Sequence, residues 1–196
     1  MEKIFTEEFI LNIFKETEAL LNGHFKLSSG YHSDTYLQCA KVMQYPELNS
    51  ILSSLIASHF KSDNINLVIG PAIGGITLAY EVARKLGARS IFAERSGQER
   101  KMSFRRGFKI NKNDTILIVE DVITTGGSIK EIIELLNSEG INISGVASIV
   151  DRSNGSVKLH SKQVSLLHIS APKYEPDKCP LCEKNIPIDT PGSKFV

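Results

Sequence analysis

The sequence predicts an α/β fold, a central and mostly parallel sheet flanked by helices on both faces, and three observations carry that prediction. Short unbroken apolar runs, Leu67-Val68-Ile69 and Thr115-Ile116-Leu117-Ile118-Val119, have the character of strands covered on both faces. Each run ends in a glycine-bearing turn that opens onto an amphipathic helix. Strand and helix patterns then alternate along the chain, as parallel strands joined by crossover helices require.

Taken in order, the stretch from Phe5 to Leu21 is expected to be one helix. Phe9, Ile10, Ile13, Phe14, Leu20 and Leu21 fall at helical spacing behind a capping Thr6 and the acids Glu7 and Glu8. The polar segment from Gly23 to Ser33 reads as a turn into short strands ending near Thr35 to Gln38. Within it Phe25 has two readings, a core aromatic or a ring that stacks on a substrate. Pro46 suits the first turn of a second helix, with Leu48, Ile51, Leu52, Leu55 and Ile56 on one face. After Gly75 a helix runs through Ala79, Val82, Ala83 and Leu86 to Gly87, and Arg89 to Glu94 forms the next strand. Ile129, Ile132, Ile133 and Leu136 mark the helix that Gly140 ends. Ile143 to Val150 and Val164 to Ile169 are later strands, and residues 170–196 form a polar, proline-containing tail.

The turn after the second apolar run, Glu120-Asp121-Val122-Ile123-Thr124-Thr125-Gly126-Gly127-Ser128, organises the rest. It delivers backbone N–H groups at a helix N-terminus, where they lack intrahelical acceptors. Glycines let the backbone approach a ligand closely, and Thr and Ser hydroxyls add donors. Such a cup suits phosphate. Glu120 and Asp121 cannot bind phosphate themselves, so they suit sugar hydroxyls or a divalent metal with its water shell. A site for a phosphorylated sugar follows. The run contains neither Gly-Lys-Ser/Thr nor Gly-x-Gly-x-x-Gly, which excludes the commonest nucleotide loops. Gly70-Pro71-Ala72-Ile73-Gly74-Gly75 offers a second anion pocket beside the first.

Arg95 to Phe108 carries five cations within residues 95–106, interrupted by Gly and Ser. It is either a solvated basic hairpin or a flap whose charge meets a departing pyrophosphate, and the two anion pockets favour the flap. Arg152, at a strand's C-terminal end, presents a planar fork suited to a carboxylate or a pyrimidine carbonyl edge, unless Asp151 or another acid occupies it in an ion pair.

Composition narrows the functional classes. Hydrophobic residues make up 41% and charged residues 23%, the balance of an ordinary single globular domain at 196 residues. A formal net charge of +1 makes no electrostatic case for nucleic acid or membrane. No apolar run approaches the roughly 18 residues of a spanning helix, and Met1-Glu2-Lys3 does not start a signal peptide, so a cytoplasmic protein is expected. Three cysteines argue against a disulfide scaffold. Cys39 reads as a small packed side chain. Cys179-Pro180-Leu181-Cys182 is half of a zinc site or a reduced structural turn; a dimer, or His160 and His168, would have to supply the other half.

Glu120 to Ser128 resembles the phosphoribosyl pyrophosphate motif of the type I phosphoribosyltransferases. Gly23-His24-Phe25-Lys26-Leu27-Ser28-Ser29-Gly30, Gly70 to Gly75 and Asp151-Arg152 resemble the branch of that family acting on orotate, over nearly the whole chain. The resemblance implies one domain over 1–196. A hood from about residues 1–45 and 170–196 would cover the base, with a core over about 46–169. It implies transfer of phosphoribosyl from phosphoribosyl pyrophosphate to orotate with Mg²⁺, in pyrimidine biosynthesis.

By the same resemblance, residues 120–128 bind the phosphoribosyl group, with Glu120 and Asp121 near the reacting carbon. Ile73, Gly74 and Arg95 contact the pyrophosphate. Arg152, Thr124 and Phe25 contact orotate. The family's loop lysine commonly found beside the first turn is replaced by Gly74, so backbone donors must suffice there. Loop 95–108 would close over the neighbouring site of a homodimer. Its usual Lys-Asp-His-Gly run is absent, which leaves Arg95, Arg100 and Lys101 as candidates for charge neutralisation, with Arg105 and Arg106 fixing the loop's far end. Two rivals are a transferase for a purine or uracil, which Asp151-Arg152 and the N-terminal segment oppose, and a nucleic-acid-binding regulator, which the charge opposes.

Overall fold

The computed structural model describes residues 6–27, 29–97 and 101–191. Helix α1 covers Glu7–Glu16, capped by the Thr6 hydroxyl, which accepts from the Phe9 N–H at 3.3 Å. It is shorter than the periodicity predicts. The Thr17 hydroxyl bonds back to the Ile13 carbonyl, Glu18 turns to φ 53°, and the Ala19 N–H closes on the Phe14 carbonyl. Leu20 and Leu21 therefore begin a strand, β1 (Leu20–Lys26), which pairs antiparallel with β2 (His32–Leu37). Helical spacing and the in-out alternation of a strand coincide over two residues, and the turn decides between them.

A one-turn α2 (Ala40–Met43) and α3 (Pro46–Ser58) lead to the main sheet. Its elements are β3 (Leu67–Pro71), α4 (Gly74–Leu86), β4 (Arg89–Ser96), β5 (Lys101–Phe104), β6 (Ile116–Ile123), α5 (Gly127–Ser138), β7 (Ile143–Asp151) and β8 (Gln163–His168). The six strands stand in the order β5-β4-β3-β6-β7-β8, and all pair in parallel except β5.

The apolar runs serve both faces, as buried parallel strands must. Val68, Leu117 and Val119 point into one core with Phe14, Leu52, Ile56 and Leu78 from α1, α3 and α4. Leu67, Ile69, Ile116 and Ile118 point into the other, with Ile129, Ile132 and Leu136 of α5. Each such side chain contributes about 1.5–3 kcal/mol by leaving water.

The basic stretch is a hairpin. Lys101–Phe104 pairs with Ala93–Ser96, and residues 98–100, Arg100 among them, lie outside the described residues. The tail is folded against β1 and β2. Tyr174 exchanges hydrogen bonds with His32 (2.9 and 2.8 Å), Asp189 joins β1 through Lys26 and His24, and a one-turn α6 (Pro180–Glu183) lies between. Among the described residues no helix is long and apolar enough to cross a membrane.

Candidate active site

Three neighbouring parallel strands, β3, β6 and β7, bring their C-terminal ends together, the edge at which α/β sheets bind ligands. Register sets Glu120 beside Ser148 and Ile123 beside Asp151, and the Arg152 N–H bonds the Ile123 carbonyl at 2.8 Å. The Glu-Asp turn and Arg152 are thus next to one another although far apart in the chain.

Gly126 caps α5 with φ 71°, a left-handed conformation that favours glycine, and a Cβ there would lie 2.7 Å from Leu159. The N–H groups of Gly127, Ser128 and Ile129 open the helix without intrahelical acceptors. They face a cleft of about 170 Å³ lined by Glu120, by residues 122–129 and by Arg95. Thr124, Thr125 and Gly127 are exposed, and Val122 and Ser128 partly so.

Glu120 and Asp121 are half-buried side by side. Burial, reinforced by the neighbouring Asp121 carboxylate, pushes Glu120 up to about 9. Burial also raises Asp121, offset in part by the Val122 N–H at 3.0 Å. Both shifts favour the protonated form of the pair. No cation forms an ion pair with either acid among the described residues.

The first glycine turn abuts this pair. A Cβ on Gly74 would lie 2.7–2.8 Å from all three carboxylate atoms of Asp121, so the missing side chain makes room for the acid. Gly70 and Gly75 lock β3 against α4, since a Cβ on Gly70 would stand 2.2 Å from the Gly75 carbonyl oxygen. The Ala72–Ile73 peptide is cis, and Ile73 is 86% exposed.

Arg152 is not paired with Asp151. The buried Asp151 carboxylate accepts from the Ser153 and Gly155 N–H groups at 2.7 and 3.0 Å and lies 3.6 Å from His168. The Arg152 Nε and Nη2 are buried without a hydrogen-bond partner among the described residues, and burial lowers its pKa. Cys39, fully buried, sits against the Asp121 carbonyl at 3.8 Å.

The cationic residues are placed differently. Arg95 reaches the cleft but also grips Glu131 through two bonds of 2.6 and 2.9 Å. Lys101 lines an adjoining depression of about 490 Å³ with Arg95 and Glu131. Arg106 is tied to Glu94 at 3.0 Å, at the far end of the hairpin. Phe25 is 4% exposed, its ring 5.7 Å from that of Tyr36, so it packs within the small sheet and has no free face for a substrate.

The histidines paired in the sequence reading with Cys179 and Cys182 need correction. His160 bonds to Lys162 and His168 stands by Asp151, whereas the cysteines meet His24 and His32. Sequence reasoning missed that pair of histidines. Their only signal is their position on either side of a glycine turn, where a hairpin brings them together.

Residues 41–181 match the model of the phosphoribosyl transferase domain. The chain is similar to orotate phosphoribosyltransferases from Chlorobaculum parvum, 53% identical over 96% of this chain and 97% of that one, and from Caldicellulosiruptor saccharolyticus, 54% identical over 97% and 98%. Among solved structures it resembles the orotate phosphoribosyltransferase from Aeropyrum pernix, with TM-score 0.68 and 26% identity over 82% of this chain and 93% of that one. An adenine phosphoribosyltransferase from Thermoanaerobacter pseudethanolicus, 16% identical over 69% of this chain and 88% of that one with TM-score 0.58, shares the fold.

Proposed function

The chain belongs to the phosphoribosyl transferase family, in its orotate branch, and from that premise we propose how its residues move the 5-phosphoribosyl group from phosphoribosyl pyrophosphate to orotate, giving orotidine 5′-monophosphate and pyrophosphate. The observation that carries the base assignment is the Arg152 guanidinium beside the cleft, whose buried Nε and Nη2 have no hydrogen-bond partner among the described residues. A buried charge without an acceptor is costly, and a carboxylate satisfies a planar fork twice. Orotate brings that carboxylate; uracil and the purines do not. Thr124 supplies a hydroxyl beside the same ring, and Phe25 supports the hood wall.

The N–H groups at the start of α5, with the Thr125 and Ser128 hydroxyls, hold the 5′-phosphate and fix the sugar for displacement. Glu120 and Asp121 take the ribose hydroxyls and lie near the positive charge that develops as the anomeric bond breaks. Backbone groups around Ile73 and Gly74 receive the pyrophosphate. Arg95 and Lys101 offset its charge, together with Arg100. The Arg95–Glu131 pair does not hold Arg95 strongly, because an ion pair with both side chains about a third exposed contributes only about 0–1 kcal/mol.

The adjacent acids are hard oxygen donors with no cation paired to them among the described residues, a set that fits Mg²⁺ held through its water shell. When bound, Mg²⁺ neutralises charge on the leaving pyrophosphate. We place the protein in the cytoplasm as a homodimer in which segment 95–108 reaches the neighbouring site. Pyrophosphate release with a panel of nucleobases tests the reading. Orotate alone should support turnover, and a preference for uracil or a purine would overturn it.

A further inference from the structure

We propose that the hood is a zinc site, with His24, His32, Cys179 and Cys182 as its four ligands. These come from β1, from β2 and from the two ends of the Cys-Pro-Leu-Cys turn, and their ligand atoms all lie within 4.8 Å of one another. His24, His32 and Cys179 are buried, and Cys182 is exposed at the margin of the cluster.

Four of the six separations between ligand atoms are close to those of a tetrahedral shell. Zinc bonds of about 2.0–2.1 Å to nitrogen and about 2.3 Å to sulfur place two nitrogens about 3.3 Å apart and a nitrogen and a sulfur about 3.5 Å apart. Here His24 Nε2 stands 3.0 Å from His32 Nδ1, 3.6 Å from Cys179 Sγ and 3.7 Å from Cys182 Sγ, while His32 Nδ1 is 3.3 Å from Cys182 Sγ. Packing alone gives no reason for four donors to converge so closely on one point.

The orientation of His24 supports the same conclusion. Its Nδ1 lies 2.8 Å from the Ile186 carbonyl, which can only accept, so Nδ1 carries the proton and Nε2 turns its lone pair toward the other three donors. Metal-bound histidines are held in this way through their second nitrogen. Two imidazoles and two sulfurs as a set of four ligands favour zinc, and no position is left open for a substrate.

The surroundings indicate what the site is for. The tail bonds to β2 at Tyr174 and to β1 at Asp189, but between them it holds only a 3₁₀ turn and the single turn of α6. Ile186 and Ile188 are exposed, so apolar burial does little to keep the segment in place. A metal bound across both strands and the Cys-x-x-Cys turn would fasten it, as structural zinc does in small units with little core.

The test uses the full untagged chain purified under reducing conditions. Elemental analysis should find one zinc per chain. Cobalt added to the zinc-stripped protein should bind one to one, with the intense visible bands of a tetrahedral site and thiolate-to-cobalt charge transfer. Cys179→Ser and Cys182→Ser should each abolish stoichiometric binding and lower the unfolding temperature, whereas His160→Ala should leave both unchanged. Wild-type protein that takes up neither metal would overturn the proposal independently of how the variants fold. So would cobalt bound without thiolate bands, undiminished binding in both cysteine variants, or a Cys179–Cys182 disulfide as the native state.

Discussion

The cup at the end of β6 and the cluster in the hood both gather polar side chains around one point, but over opposite ranges of sequence. The cup uses nine consecutive residues, 120–128, whose strand-to-helix geometry places every donor. In the hood, His24 meets a cysteine 155 residues away, and the cluster exists only when the hairpin and the tail have docked. A local site can tolerate loss of distant packing, whereas an assembled one should report on it. The active site as a whole lies between these extremes, because Arg152 reaches the cup only through the pairing of β6 with β7.

That contrast can be broken by mutations, the largest effect being expected within the cup. Asp121→Asn should reduce kcat by about 10²-fold or more while changing phosphoribosyl pyrophosphate affinity much less, since the charge matters most as the bond breaks. Rapid-mixing kinetics beside equilibrium binding would show it, and a variant with normal turnover would remove Asp121 from the mechanism. Arg152→Ala should cost about 1.5–3 kcal/mol, or about 10- to 150-fold, mainly in KM for orotate. Unchanged orotate affinity would contradict its role.

Gly74→Ala tests the junction between the two turns. A methyl group would press on the Asp121 carboxylate at 2.7–2.8 Å and displace it. A fall of about tenfold in kcat with little change in unfolding temperature is expected, because small misplacements of a reacting group weaken catalysis out of proportion. An unaffected kcat would show that Asp121 has freedom to spare.

The smallest effect concerns stability. Because Glu120 is raised to about 9 from the usual 4.5, the folded chain holds that proton more tightly than the unfolded one. Its contribution is complete below the ordinary carboxylate range and is lost as pH rises toward 9. Glu120→Gln cannot ionise. In metal-free buffer it should flatten the decline in Tm over this window, gaining about 2–4 °C for each kcal/mol recovered, while losing activity. Parallel Tm–pH curves for both proteins would count against a shared proton at the acid pair.

Much of this molecule was legible from the chain alone, for physical reasons that differ by element. The runs at 67–69 and 115–119 announce themselves because parallel strands are buried on both faces, and the cup is visible because its chemistry is contiguous. Asp151-Arg152 marked a ligand edge, but only the structure shows Asp151 engaged by its own turn and the Arg152 nitrogens left unsatisfied. The end of α1 was misplaced because Leu20 and Leu21 continue a helical period into a strand, and nothing local shows that Glu18 turns to a positive φ. A hairpin was one of two readings of the basic stretch, and its second strand at 101–104 was hard to see because an edge strand has one neighbour and little need for apolar residues. His24 and His32 were hidden because tertiary contact, rather than spacing, joins them to the cysteines.

A crystal structure with bound orotidine 5′-monophosphate tests the central claim most directly. The 5′-phosphate should sit on the N–H groups of Gly127 and Ser128, the ribose hydroxyls on Glu120 and Asp121, and the base carboxylate on Arg152. A nucleotide whose phosphate lies outside the cup, or whose carboxylate turns away from Arg152 toward solvent, would contradict the account.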